Sequence, residues 1–176
     1  EVRFDSYEFD GCEEQVVQLE AFIARRSDAV GDAAAHPGLV IAHGLGGSAS
    51  DGAASTPAAQ TRSVAIAYSG PGQGASEGTG STPDHVFDTA VDPRNSWFWG
   101  HAVAAVRAAT VLETLTEVDP SRLGMTGYSA GAVATLMAGG LDDRLVATAP
   151  VSGTGHLQLA IDATPQPGWQ ADLLAA

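Results

Sequence analysis

The sequence predicts an α/β fold: a mostly parallel, twisted sheet with helices on both faces and an antiparallel hairpin at its N-terminal end. Two continuous apolar runs, Leu39-Val40-Ile41-Ala42 and Val64-Ala65-Ile66-Ala67-Tyr68, have the character of parallel strands buried on both faces. Stretches of helical character lie between such runs, and strand–helix alternation builds a parallel sheet. Residues 2–9 instead alternate apolar and polar, as do residues 15–25, where Val17, Leu19, Ala21 and Ile23 share one face. The Asp10-Gly11 turn signal joins these two as a hairpin.

Taken in order, residues 27–37 are expected as a small, polar, alanine-rich loop, and a helix over about 48–60. A long helix starts near Asp92-Pro93, an N-cap followed by proline at the first helical position. It carries Val103, Val106, Val111, Leu112, Leu115 and Val118, and Asp119-Pro120 is expected to stop it. Residues 123–126 and 145–149 read as shorter strands. Between them a helix follows Ser129 and is expected to end at Gly139-Gly140. With 176 residues and 17.8 kDa the chain suits a single domain over 1–176.

Composition narrows the function. Asp and Glu number 21 against 8 Lys and Arg, a net charge of −13 that repels phosphate backbones and anionic lipid. Nucleic-acid and membrane partners are therefore not expected. All eight cations are arginine, which excludes a P-loop lysine, a Schiff-base lysine and the Ser-x-x-Lys pattern. One cysteine, Cys12, excludes an internal disulfide and a cysteine-rich zinc site. His36, His85 and His101 lack metal-ligand spacing, so neither metal nor cofactor is expected. Gly70-Pro71-Gly72-Gln73-Gly74 fails the dinucleotide pattern, because Ala75 stands where glycine is needed and no helix opens there.

The chemistry-bearing motif is Gly127-Tyr128-Ser129-Ala130-Gly131, a G-x-S-x-G between a predicted strand and a predicted helix. That setting makes a tight, strained turn that lifts a serine hydroxyl out of the sheet, with small residues needed two positions either side. Ser129 is the expected nucleophile. His43-Gly44-Leu45-Gly46-Gly47 follows the 39–42 strand, where an oxyanion-binding loop belongs. The backbone N–H groups of Leu45 (Gly46 as substitute) and Ala130 are the expected donors to the tetrahedral oxyanion. His43 is read as a histidine that fixes the loop rather than as the base. Ser96-Trp97-Phe98-Trp99-Gly100-His101 reads as core packing under the long helix or, on the functional side, as a wall of the substrate pocket.

These residues resemble the α/β-hydrolase fold family, near its acetyl xylan esterase, dienelactone hydrolase and prolyl-oligopeptidase-like branches. The likeness runs from about residue 38 to 153. It is carried by residues 43–47, by Tyr68-Ser69-Gly70-Pro71-Gly72-Gln73-Gly74-Ala75-Ser76, and most strongly by residues 118–131. It implies an eight-stranded sheet and a Ser–acid–His triad in that chain order. The C-terminus departs from the pattern: the sixth strand is followed by only a short segment, where the family continues to the strands that carry its acid and histidine. His156 is the one histidine after Ser129; Asp142, Asp143 and Asp162 are the nearby acids. Asp142 and Asp143, with Arg144, look like a solvated helix-end turn, and His156 reads as a surface residue. The expectation is a chain covering about the N-terminal two-thirds of such a domain, with acid and histidine supplied by a missing C-terminal segment. The 176 residues alone would then show little hydrolase activity.

The expected function is a serine hydrolase acting on small carboxylic esters through an acyl-enzyme. The alternatives are a serine peptidase or acyltransferase on the same scaffold, or a non-catalytic binding domain. A bacterial, soluble protein fits the pI near 4.4, with the cytoplasm slightly favoured over secretion and homo-oligomerisation left open.

Overall fold

The computed structural model describes residues 1–11, 13–26 and 36–153. Cys12, His156, Asp162 and the tail lie outside them. Among the described residues six strands form one sheet. β1 (Val2–Asp10) and β2 (Glu13–Ala24) form the expected hairpin, and β2 pairs antiparallel with β4 (Val64–Tyr68). From β4 onward the sheet is parallel, through β3 (His36–Ala42), β5 (Val118–Tyr128) and β6 (Leu145–Val151). Ile23, Ile66, Val40, Met125 and Thr148 line up across five strands.

Alternation along the strands divides the core in two. Val40, Ala42, Ile66 and Tyr68 pack in one cluster with Ala104, Ala105, Ala108 and Ala109 of α3 (Trp97–Glu113) and Ala134 and Ala138 of α4 (Ala130–Leu141). Ile41 and Ala67, on the opposite face, pack with Ala54 of α1 (Asp51–Thr61). The alanines bury little area each but let helix and sheet approach closely, so dispersion contacts replace bulk.

Several expected boundaries are corrected. His36 and Pro37, expected in the loop over 27–37, open β3, and β5 starts at Val118 rather than at 123. The long helix does not start at Asp92-Pro93. Asp92 caps a single 3₁₀ turn over Pro93–Asn95, and Ser96 then caps α3, its hydroxyl accepting from the Phe98 N–H (3.2 Å) and donating to the Val86 carbonyl (2.7 Å). A short helix, α2 (Pro83–Val86), precedes this turn. Nor does Asp119-Pro120 stop α3, which ends at Glu113; both lie inside β5. There Pro37 and Gly38 face Asp119 and Leu123, so residues 120–122 bulge out, held by the Asp119 carboxylate on the Ser121 N–H and hydroxyl. Gly139-Gly140 do not end α4, which continues to Leu141. Among the described residues β6 lies at the edge of the sheet, and beyond Leu145 its residues are exposed.

Candidate active site

β5 ends at Tyr128 and α4 begins at Ala130, leaving Ser129 alone to turn the chain. Ser129 does so at φ 55°, ψ −115°, its N–H on the Val151 carbonyl (3.0 Å). The flanking glycines have a steric cause. A Cβ on Gly127 would lie 2.2 Å from the Gly131 carbonyl oxygen, and one on Gly131 would lie 2.3 Å from that of Ala42. Only with both side chains absent can α4 start this close to β3 and β5. Ser129 is exposed at the carboxyl end of the parallel strands, and no described group hydrogen-bonds its Oγ.

The loop after β3 lies against this turn. Gly44 is so near that a Cβ on it would touch Ser129 Cβ at 3.4 Å and the Tyr128 carbonyl at 3.3 Å. Gly44 and Gly47 close a four-residue turn (Gly47 N–H to Gly44 O, 3.0 Å) with Leu45 and Gly46 at its centre. Gly46 has φ 69°, the left-handed value that the third position of a type II turn requires. Leu45 is half exposed at the tip. As the first residue of α4, Ala130 carries an N–H without an intrahelical acceptor, at the helix's positive end. It clusters with Val86 and Trp97, against which Phe87 and Phe98 pack, so the aromatic stretch lines the ground beside the serine turn as well as filling core.

His43 has both ring nitrogens committed. Nε2 accepts the Gly70 N–H (2.9 Å), which places the proton on Nδ1, and Nδ1 donates to the Gly44 carbonyl (2.7 Å). Burial pushes its pKa below the usual histidine value. Asp142 is engaged elsewhere: the Arg144 guanidinium grips its carboxylate at 2.6 and 2.8 Å and also binds Glu113. These hydrogen bonds hold the Asp142 carboxyl below the usual range. Asp142 and Asp143 stand at the far end of the twelve-residue α4, about 18 Å of helix from Ser129.

Four contributors have roles that the sequence did not suggest. Glu20 accepts from Ser69 Oγ (3.0 Å) and the Ala75 N–H (3.1 Å), and Glu8 accepts from the Thr79 N–H and hydroxyl (3.2 Å), so the hairpin's carboxylates strap the loop after β4. Burial raises the Glu8 pKa against the pull of Thr79. The hydrogen-bond partners around the Gln73 amide assign its oxygen to Ser81 and its nitrogen to the Gly47 carbonyl (3.1 Å), which ties that loop to the Leu45 turn. His101 lies beneath both. The spacing of Trp97 and His101, four residues apart on one helix face, was the available signal for a stacked pair. Among the described residues no cluster of His, Cys, Asp and Glu is placed to hold a metal, and no helix is long and apolar enough to cross a membrane.

The fold has many solved counterparts. An acetyl xylan esterase from Paenibacillus sp. R4 superposes with a TM-score of 0.75 at 20% identity, covering 98% of this chain and 60% of its own. Acetyl xylan esterase 1 from Thermoanaerobacterium sp. JW/SL YS485 gives 0.71 at 18% identity, covering 98% and 55%. The acylaminoacyl peptidase of Pyrococcus horikoshii gives 0.62 at 14% identity, covering 92% and 24%. The chain thus spans little more than half the length of the esterases it matches, and all three share the α/β-hydrolase fold. No curated protein sequence matches it. The model of one family, described as acetyl xylan esterase (AXE1), matches residues 8–153, the stretch that holds the Leu45 turn, the strapped loop and Ser129. The chain belongs to the acetyl xylan esterase family.

Proposed function

We propose that this chain carries the nucleophile and oxyanion side of a serine esterase that removes small acyl groups, acetyl above all, from a hydroxylated substrate. Ser129 Oγ attacks the ester carbonyl, and the N–H groups of Leu45 and Ala130 receive the oxyanion. The alcohol leaves with a proton, and water then hydrolyses the acyl-enzyme. A histidine and carboxylate from outside the described residues supply the base and its orientation. One observation carries the reading: Ser129 sits exposed at a strained strand-to-helix turn, with Gly44 of the Leu45 turn so near that a Cβ on it would touch Ser129 Cβ. The apolar ground of Val86, Trp97 and Phe98 beside Ala130 suits a short acyl group. The acetyl preference leans on the names of the esterase relatives.

The likeness to an acylaminoacyl peptidase keeps amide cleavage as the second reading. The test is fluorophosphonate labelling of the natural protein, followed by p-nitrophenyl acetate and acylaminoacyl-anilide turnover. A single adduct on Ser129 is expected, with acetate ester preferred over anilide. Ser129→Ala should remove the adduct and lower turnover by at least about 10⁴-fold. No adduct on Ser129 would leave a non-catalytic binding domain; anilide preference would make it a peptidase.

A further inference from the structure

His101 is a buried titratable side chain for which the proposed chemistry has no use. It lies in α3 with no exposure to solvent. Its Nε2 is 3.3 Å from the His43 carbonyl oxygen, and since a carbonyl only accepts, the proton is on Nε2. Nδ1 is then a bare acceptor, and no described donor reaches it. An unsatisfied buried nitrogen is costly to a fold, and an apolar ring at the same place would avoid it. Something other than packing therefore has to explain a histidine here.

The surroundings hold the ring in one orientation. Trp97 stacks on it, with centroids 4.5 Å apart and planes at 20°, and the His43 and Tyr68 rings lie at 4.8 and 5.2 Å. The Tyr68 hydroxyl donates to His101's own carbonyl (3.0 Å), pinning this turn of α3 to β4. A Cβ on Gly70 would lie 2.7 Å from His101 Nδ1, so the loop after β4 closes the last side. Burial and the neighbouring His43 push the pKa of His101 down to about 3, so the ring stays neutral wherever an esterase works. What this fixed ring grips is the peptide that joins His43 to Gly44, one residue before Leu45.

We propose that His101 is a positioning residue for the oxyanion turn: its Nε2–H anchors the His43–Gly44 peptide and thereby sets the direction of the Leu45 N–H. The inference rests on the esterase reading of Ser129 and Leu45. His101 touches no substrate and acts through the backbone of the loop. A misplaced donor weakens the transition state while leaving ground-state binding nearly intact, so the effect belongs in kcat.

The test compares His101→Phe, which removes the donor and the bare acceptor together, with His101→Gln, whose amide nitrogen reaches the Nε2 position. In the natural protein His101→Phe should lower kcat for p-nitrophenyl acetate by roughly ten- to a hundredfold with KM nearly unchanged and no loss of Tm. His101→Gln should recover most of kcat. A His101→Phe enzyme within about twofold of the parent in kcat would overturn the inference, as would a loss confined to KM. Imidazole ¹⁵N NMR of the unmutated protein gives an independent readout should the Phe variant fold poorly. A neutral Nε2–H tautomer for His101, unchanged from pH 5 to 8, is expected; an Nδ1–H tautomer or titration in that range would refute it. If Ser129→Ala keeps full turnover, the esterase reading itself fails and takes this inference with it. If Ser129→Ala is dead and His101→Phe is not, only this inference fails.

Discussion

Ser129, Arg62 and Ser152 are the described non-glycine residues with positive φ. Arg62, at φ 55° and ψ 36°, is a left-handed cap closing α1, a common and inexpensive use of that region. Ser129 shares the φ but not the ψ of −115°, which falls outside the left-handed helical well, so its side chain is held in a region that favours glycine. Such positions cost about 1–3 kcal/mol and persist where the surroundings over-determine them. Here the clamps are the Val151 carbonyl on the Ser129 N–H and the two close glycine approaches. At an ordinary exposed site alanine is more stabilising than glycine by about 0.4–1 kcal/mol, through the unfolded chain. At position 129 the order should reverse. Ser129→Gly is expected to exceed Ser129→Ala in stability by about 1 kcal/mol, read from urea midpoints, while both lack activity. An alanine variant more stable than the glycine one would show that the turn stores no strain.

α4 carries two adjacent glycines with opposite environments. A Cβ on Gly139 would lie 2.6 Å from Thr148 Cγ2 of β6, whereas one on Gly140 would meet nothing within 4 Å. Neither has positive φ. Gly140→Ala should therefore gain helix propensity, about 0.5 kcal/mol, as a rise in Tm. Gly139→Ala should lose about 1–3 kcal/mol, because α4 must lift from β6 or Thr148 must move. Equal effects of the two substitutions in thermal melts would refute this packing. The pair also marks what the sequence conveys at this scale. Two glycines ending a predicted helix read as a stop, but here one admits a neighbouring strand, and that neighbour is distant in sequence. The same limit hid the β5 bulge, since the Asp119-Pro120 signal is real but operates inside a strand. Continuous apolar runs and the G-x-S-x-G spacing were legible because their causes are local: burial on both faces of a strand, and side chains excluded two residues either side of a turn. The straps from Glu8 and Glu20, and His101 beneath the oxyanion turn, were not, because each depends on partners that only the folded sheet brings together.

At the scale of the whole molecule, charge is the unbalanced quantity. Acidic residues outnumber basic ones 21 to 8, so thirteen negative charges have no cationic counterpart in the chain. Two described clusters use arginine structurally: Arg25 pairs with Glu117 beside β5, and Arg144 joins Asp142 and Glu113 at the α3–α4 junction. Added salt acts on both sides of this account. It weakens the pairs, but these are backed by hydrogen bonds and partly shielded from solvent, where screening is weak. It also relieves the repulsion among the surplus carboxylates, which is long-ranged and mostly at the surface, where screening is strong. The Debye length shrinks from about 30 Å at 0.01 M to about 10 Å at 0.1 M, which is enough to uncouple charges across a domain of this size. Repulsion should win, and sodium chloride should stabilise the fold. Raising it from 0.01 to 0.2 M at pH 7 is expected to raise Tm by about 2–4 °C, equivalent to about 1 kcal/mol for a domain of this length. Chloride is the right anion, because sulfate would stabilise through exclusion from the surface whatever the charge. A Tm that falls with chloride would mean that the arginine clusters, not the acidic surplus, dominate the electrostatics of the fold.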